Sequence, residues 1–301
     1  MLSEAFLKDL SRAFPGLEVR RGEPMSAHTT LHIGGPAAAM AFPRGDELEK
    51  TVAFALKSGV KPLLIGCGSN ILAPDGELDR FVIVTRSGEP CIRVEETSVF
   101  AEAGATLAKI AAAARDAGLT GFEFAAGIPG SLGGALLMNA GAYGSEMKDV
   151  AASTVWLDGS GIERETRGAE HRFSYRDSIF AHEESYILSC RIDLSPGDPE
   201  AIRARMDELA DRRRASQPLD LPSAGSAFKR PAGGYAAAMI DQCGLRGERV
   251  GGACVSEKHA GFIINTGGAT CADVLELIEK IRRAVFERFG TELEPEIRVV
   301  K

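Results

Sequence analysis

Residues 127–146 read G-I-P-G-S-L-G-G-A-L-L-M-N-A-G-A-Y-G-S-E. Gly127, Gly130, Gly133, Gly134, Gly141 and Gly144 fall inside it, with Gly121 just upstream, and it holds one proline and almost no charge. It is not an ordinary amphipathic element, because it has no polar face. Glycine lets a backbone approach a ligand closely or take a positive φ, and successive N–H groups can then converge on an anion. Two readings follow. The stretch is a cradle for a diphosphate, or it is a buried, turn-rich segment whose glycines serve only backbone crossings.

Upstream, the pattern alternates strands and helices. An N-terminal amphipathic helix places Leu2, Phe6 and Leu10 on one side, and Ala38 opens a short apolar strand ending at Phe42. Asp46 caps a helix marked by Leu48, Val52 and Ala55 and ended by Gly59. A strand over 60–65 then delivers the chain into Gly66-Cys67-Gly68-Ser69-Asn70, so strand, helix, strand and glycine loop form a βαβ unit. The loop is not the dinucleotide fingerprint: its third glycine is missing, and Pro74-Asp75-Gly76 turns the chain where that fold needs a helix. Strands are expected at 81–84, 92–95 and 98–103, and a helix at 106–117 with Leu107, Ile110, Ala111 and Ala114 on one face.

Downstream come strands at 152–157, 162–166 and 186–194, the first two joined by a hairpin at Asp158-Gly159. Asp198-Pro199 starts a helix running to about Arg214. A helix at 235–243, an extended segment at 251–255 and a strand at 262–265 follow. The last helix is the clearest: Thr270 caps it, Asp273 completes a capping box, Val274, Leu277, Ile278, Ile281, Val285 and Phe289 form its stripe, and Gly290 stops it. A terminal strand over 294–300 carries Glu296 and Arg298 on one face. The mixture is an α+β architecture.

At 301 residues, two domains are expected. A net charge of -7 argues against a nucleic-acid partner, since no basic excess is available to displace counterions. The basic run Arg212-Arg213-Arg214 closes a helix, where cations suit the dipole. The six cysteines include no C-x-x-C pair and the histidines do not cluster with them, so neither a metal site nor a disulfide framework is expected. The N-terminus is interrupted by Glu4, Lys8 and Asp9, unlike a signal peptide, and no run of ~18 apolar residues is present. A cytoplasmic protein with no membrane partner is expected.

In the order in which they occur, the loop at 66–70, the I-P-G-S-L-G-G-A-L-L-M-N-A-G-A-Y-G run, Y-R-D-S-I-F at 175–180, A-G-S-A-F-K at 224–229, S-E-K-H-A-G-F at 256–262 and P-E-I-R at 295–298 resemble the UDP-N-acetylenolpyruvoylglucosamine reductases (UDP-N-acetylmuramate dehydrogenases). The resemblance covers the chain from about Thr29 to its end. It implies an FAD-binding module of the vanillyl-alcohol oxidase (PCMH) type over residues 1–195, in lobes of about 1–84 and 85–195. A substrate domain then spans 196–301, its last strand returning to the flavin. The implied reaction is NADPH-dependent reduction of UDP-N-acetylglucosamine enolpyruvate in peptidoglycan precursor synthesis, serving cell-wall biogenesis, cell shape and division, by a monomer. Another flavin oxidase or dehydrogenase of the same fold, acting on a sugar or alcohol, is the alternative.

By resemblance, FAD is held noncovalently by Gly66, Gly68, Ser69, Asn70, Ile128, Pro129, Gly130, Ser131, Gly134, Asn139 and Arg298. Relatives of the fold that bind flavin covalently use His or Cys; neither loop has His, and Cys67 reads as a small buried residue. The resemblance makes Arg176 the cation, Glu296 the polarising carboxylate and Ser226 the proton donor. Tyr175, Gln217 and Lys229 fall at substrate positions. Arg230 stands where some members have Asn, and Leu31 and His32 depart from the aromatic and basic residues common there. The passage from Leu194 straight into the helix after Pro199 marks the short-loop variety, without the inserted Tyr that other members close over the diphosphate.

Overall fold

The computed structural model describes residues 2–301, which form two compact units. The first takes the chain up to Arg21, Ala38–Cys67 and Asp79–Asp211; the second takes Gly22–Ala37, Gly68–Leu78 and Arg212–Lys301. Two short pieces of the expected flavin module, 22–37 and 68–78, thus pack with the C-terminal residues.

In the first unit, one sheet runs in the order Glu18–Arg20, Pro36–Phe42, Leu78–Val84, Leu63–Ile65. The strands of the expected βαβ unit are therefore not neighbours, because Leu78–Val84 inserts between them and pairs parallel with Leu63–Ile65. Helices Glu4–Ala13 and Glu47–Lys57 bury Phe6, Leu10, Val52 and Ala55 in one cluster with Ala39, Ala41, Phe81 and Ile83. Asp46 does not cap the second helix as expected. It already has helical φ and ψ, and its carboxylate accepts from Lys50 Nζ at 2.5 Å, a competing i,i+4 partner.

The other sheet of this unit is antiparallel, in the order Glu163–Arg167, Ala151–Asp158, Ser185–Asp193, Ser98–Glu102, Ile92–Glu95. Alternate residues of its strands, such as Val99, Ala101 and Trp156, face helix Leu107–Asp116 and a six-residue helix, Leu132–Leu137, in one buried cluster. That short helix lies in the glycine stretch and was not expected there, since two glycines among six residues suppress helix propensity. Backbone bonds from outside hold its start: Leu132 N–H donates to Ala105 O (2.9 Å) and Gly133 N–H to Ala103 O (2.9 Å).

The second unit is built on an antiparallel sheet in the order Ser223–Ser226, Phe262–Asn265, Ala253–Val255, Arg249–Val250. Helices Ala236–Gln242 and Cys271–Phe289 pack on it, burying Ile240, Val274, Leu277, Ile281 and Val285 with Val255 and Ile263. Leu31, Ile33 and Leu72, from the two inserted segments, complete this core. Leu31 is fully buried in it. The last helix has its Thr270–Asp273 capping box and a left-handed Gly290 at φ 64°. A second cap comes from afar: Asp75 accepts from the N–H groups of Cys271 (2.6 Å) and Ala272 (3.1 Å), fixing the 68–78 segment to the helix. The terminal strand is shorter than expected. The strand proper is Arg298–Val299, parallel to Ile71–Leu72, with an isolated bridge at Pro295 before it.

Candidate active site

Gly66, at the start of the first glycine loop, meets Ser131 of the second inside the first unit. A Cβ on Gly66 would lie 1.8 Å from Ser131 Oγ and 2.8 Å from Ser131 Cβ, so only glycine permits the approach. Among the described residues, no group accepts the backbone N–H of Gly66 or Cys67, nor that of Gly130, Ser131 or Gly134. Unclaimed donors on glycine turns suit an anion, and two such runs suit a diphosphate, so this chain's residues fit the group. Gly68 adds a left-handed turn at φ 61°. Ile128 N–H donates to Ala125 O, and Pro129 is exposed beside it. Burial pushes the Cys67 thiol above its ordinary value, which keeps it protonated and a poor nucleophile.

Arg176 stands on a two-residue turn, 174–177, closed by reciprocal backbone bonds between Ser174 and Asp177. Its φ is 56°, a left-handed conformation that costs a bulky residue roughly 1–2 kcal/mol. The guanidinium lies 5.1 Å from the centre of the exposed Tyr175 ring, and Nη2 donates to Gly141 O at 3.4 Å. Asn139 is fully buried: Nδ2 donates to Ser174 O and Oδ1 accepts from Lys148 N–H, both at 2.9 Å.

Behind this turn, His171 is fully buried and stacks on Phe173, ring centres 4.7 Å apart. Nδ1 donates to Gly168 O and Nε2 accepts from Thr154 Oγ1, each at 2.9 Å, a pattern of the neutral ring. Burial pushes its pKa below the ordinary value. The unfolded chain therefore binds the proton first as pH falls. The stabilisation is full above about pH 6.5 and is lost on acidification below it. Urea unfolding should show stability falling from pH 7 to 5.5, with a shallower fall for His171→Gln; equal slopes would remove His171 from this account.

In the second unit, a glycine turn at Gly225, φ 77°, brings exposed Ser226 to the end of its strand opposite Phe262. Residues 227–229 run beside 294–296. Glu296 N–H donates to Ala227 O (2.8 Å), Lys229 N–H donates to Glu294 O (2.9 Å), and Phe228 bridges Pro295. Ser226 and Glu296 thus occupy adjoining backbone segments. Asn70 grips the second of these, Nδ2 donating to Glu296 O and its own carbonyl accepting from Arg298 N–H, both at 3.0 Å. Lys229 Nζ is paired with Glu294 at 2.6 Å. Gln217 Oε1 accepts from Arg213 Nη1 at 3.4 Å. Sequence motifs named these residues but could not show that Asn139 and Asn70 bond to the segments carrying Arg176 and Glu296; an Asn within each glycine-rich run was the available signal.

The fold and cradle define an FAD-dependent oxidoreductase of the vanillyl-alcohol oxidase type. Residues 36–167 match the model of an FAD binding domain, and 217–300 match that of the UDP-N-acetylenolpyruvoylglucosamine reductase C-terminal domain. The chain is 50% identical to UDP-N-acetylenolpyruvoylglucosamine reductase of Caldanaerobacter subterraneus subsp. tengcongensis over 92% of both chains. A solved structure of UDP-N-acetylenolpyruvylglucosamine reductase from Thermus caldophilus superposes with a TM-score of 0.81 at 33% identity, covering 95% of this chain and 100% of that one. Phl p 4.0202, a glucose dehydrogenase, shares the fold alone, with TM-score 0.51 and 13% identity over 95% of this chain and 63% of that one. The chain belongs to the UDP-N-acetylenolpyruvoylglucosamine reductase family.

Proposed function

We infer that Arg176, Ser226 and Glu296 carry the reaction of this family in the present chain: NADPH-dependent reduction of UDP-N-acetylglucosamine enolpyruvate to UDP-N-acetylmuramate, for peptidoglycan precursor synthesis. The observation that best supports the reading is the contact of the two glycine loops at Gly66 and Ser131, with their N–H groups unclaimed. Those groups hold the diphosphate of FAD without a covalent bond. FAD held there would supply two-electron hydride chemistry between NADPH and the terminal carbon of the enol ether. Negative charge then develops on the neighbouring carbon and its carboxylate. The Arg176 guanidinium stabilises it, Glu296 polarises the carboxylate group, and Ser226 Oγ–H gives its proton to that carbon. Tyr175, Gln217 and Lys229 bind the UDP-sugar, Lys229 by exchanging Glu294 for a phosphate oxygen. The unit built on residues 212–301 serves as the substrate domain, and the enzyme works as a cytoplasmic monomer, where its nucleotide substrates are made.

Purified protein should be yellow, release its flavin to the supernatant on acid precipitation, and oxidise NADPH only when the enolpyruvyl UDP-sugar is added. Flavin kept in the pellet would contradict noncovalent binding. Steady NADPH oxidation with oxygen alone would favour an oxidase.

A further inference from the structure

We propose that Asn139 is a positioning residue for Arg176, not a flavin ligand; the inference rests on the reading of Arg176 given above. Three bonds fasten the Arg176 turn to the end of the short helix Leu132–Leu137. Ser178 Oγ donates to Leu137 O at 2.9 Å, Asn139 Nδ2 donates to Ser174 O at 2.9 Å, and Arg176 Nη2 reaches Gly141 O at 3.4 Å. The carbonyl of Leu137 is one of the groups a helix end leaves unsatisfied, so Ser178 completes the helix while tying down the turn. Asn139 sits at the centre of this arrangement. It is 0% exposed and itself left-handed at φ 42°, a conformation Asn tolerates better than other non-glycine residues. Its remaining amide oxygen takes the Lys148 N–H, so both halves of the side chain are engaged within the protein.

The geometry explains why the turn can stay strained. A bulky residue in the left-handed region persists only where its surroundings over-determine it, and such strain gathers at functional sites. Here the surroundings are the Asn139 amide and the Ser178 hydroxyl. Because the groups that hold the turn, Leu137 O, Asn139 Nδ2 and Gly141 O, belong to residues just after the Gly130–Gly134 loop, the turn's position is referenced to the flavin cradle within the same unit. Asn139 touches neither turnover chemistry nor flavin by this account. It sets where the guanidinium of Arg176 stands.

The variants are Asn139→Asp, which keeps the acceptor for Lys148 N–H but sets an oxygen against Ser174 O, and Ser178→Ala, which removes the other fastening. Anaerobic stopped-flow on holoenzyme separates flavin reduction by NADPH from reoxidation of the prereduced enzyme by the enolpyruvyl UDP-sugar. Asn139→Asp is expected to slow reoxidation by about tenfold, with FAD affinity, the visible flavin spectrum and the reduction rate within about twofold of wild type. In an Arg176→Lys background the same change should cost less than about twofold, since two residues acting as one unit are non-additive. Weakened FAD binding or an altered flavin spectrum would overturn the proposal in favour of a flavin ligand. A full tenfold loss persisting in the Arg176→Lys background would overturn it while leaving the role of Arg176 intact. If Arg176→Lys alone leaves reoxidation unchanged, the reading of Arg176 fails first and the inference with it. Should Asn139→Asp not fold, Ser178→Ala decides: a smaller loss confined to reoxidation and absent in the Arg176→Lys background supports the proposal, and a wild-type rate overturns it.

Discussion

Ser226→Ala is expected to slow reoxidation of the prereduced enzyme by the enolpyruvyl UDP-sugar by at least about a hundredfold, or about 2.7 kcal/mol of barrier, while FAD binding and flavin reduction by NADPH stay nearly unchanged. A serine hydroxyl is a weak acid, so it serves only where the carbon it protonates is strongly basic and the geometry is fixed. The fixing is visible. Gly225 turns the chain at φ 77°, Ala227 is fully buried with its N–H on Gly261 O, and its carbonyl is taken by Glu296 N–H. Ser226 itself is exposed at the strand's end, and its hydroxyl is committed to no other group among the described residues. Ser226→Cys should recover part of the rate, since a thiol is a stronger acid of similar size. An alanine variant that reoxidises at the wild-type rate would leave water or another side chain as the donor.

What the sequence made legible was local. The last helix could be drawn residue by residue, because its stripe, its Thr270–Asp273 box and Gly290 all lie within one continuous segment. What stayed hidden was long-range. Asp75 looked like part of a turn, yet its carboxylate caps a helix 196 residues away. Leu31, whose role the sequence left open, is part of the core. The insertion of Leu78–Val84 between the expected βαβ strands could not be read from propensity, since strand order depends on pairing, which no single segment encodes.

The candidate site divides the same way. Glycine spacing pointed to the cradle because the physical requirement, absence of Cβ, is written in the residue type; the Gly66–Ser131 approach is the case in point. The strain at Arg176 is written nowhere in its residue type. Arginine at φ 56° contradicts local preference, and the bonds from Asn139 and Ser178 that fasten the turn come from residues distant in sequence. Local rules fail where function overrides them.

Arg176→Lys should therefore lower turnover by about a hundredfold or more, the scale of losing a fixed charge-stabilising donor, with the loss falling on reoxidation by the enolpyruvyl sugar and not on flavin reduction by NADPH. The swap keeps the charge and the long apolar stem. It also keeps the backbone penalty, since lysine is no better suited to φ 56° than arginine, so the change reports the head group alone. What is lost is the planar fork. Arginine can lie over the Tyr175 ring, 5.1 Å from its centre, send Nη2 to Gly141 O and still offer N–H groups to a carboxylate, whereas an ammonium has three donors around one point. A lysine that satisfies Gly141 O is drawn away from the substrate, and one that follows the substrate leaves the ring and the carbonyl. Both half-reactions can be followed by flavin absorbance in anaerobic stopped-flow. Equal losses in the two would assign Arg176 to holding the cofactor, and wild-type rates in both would remove it from the mechanism.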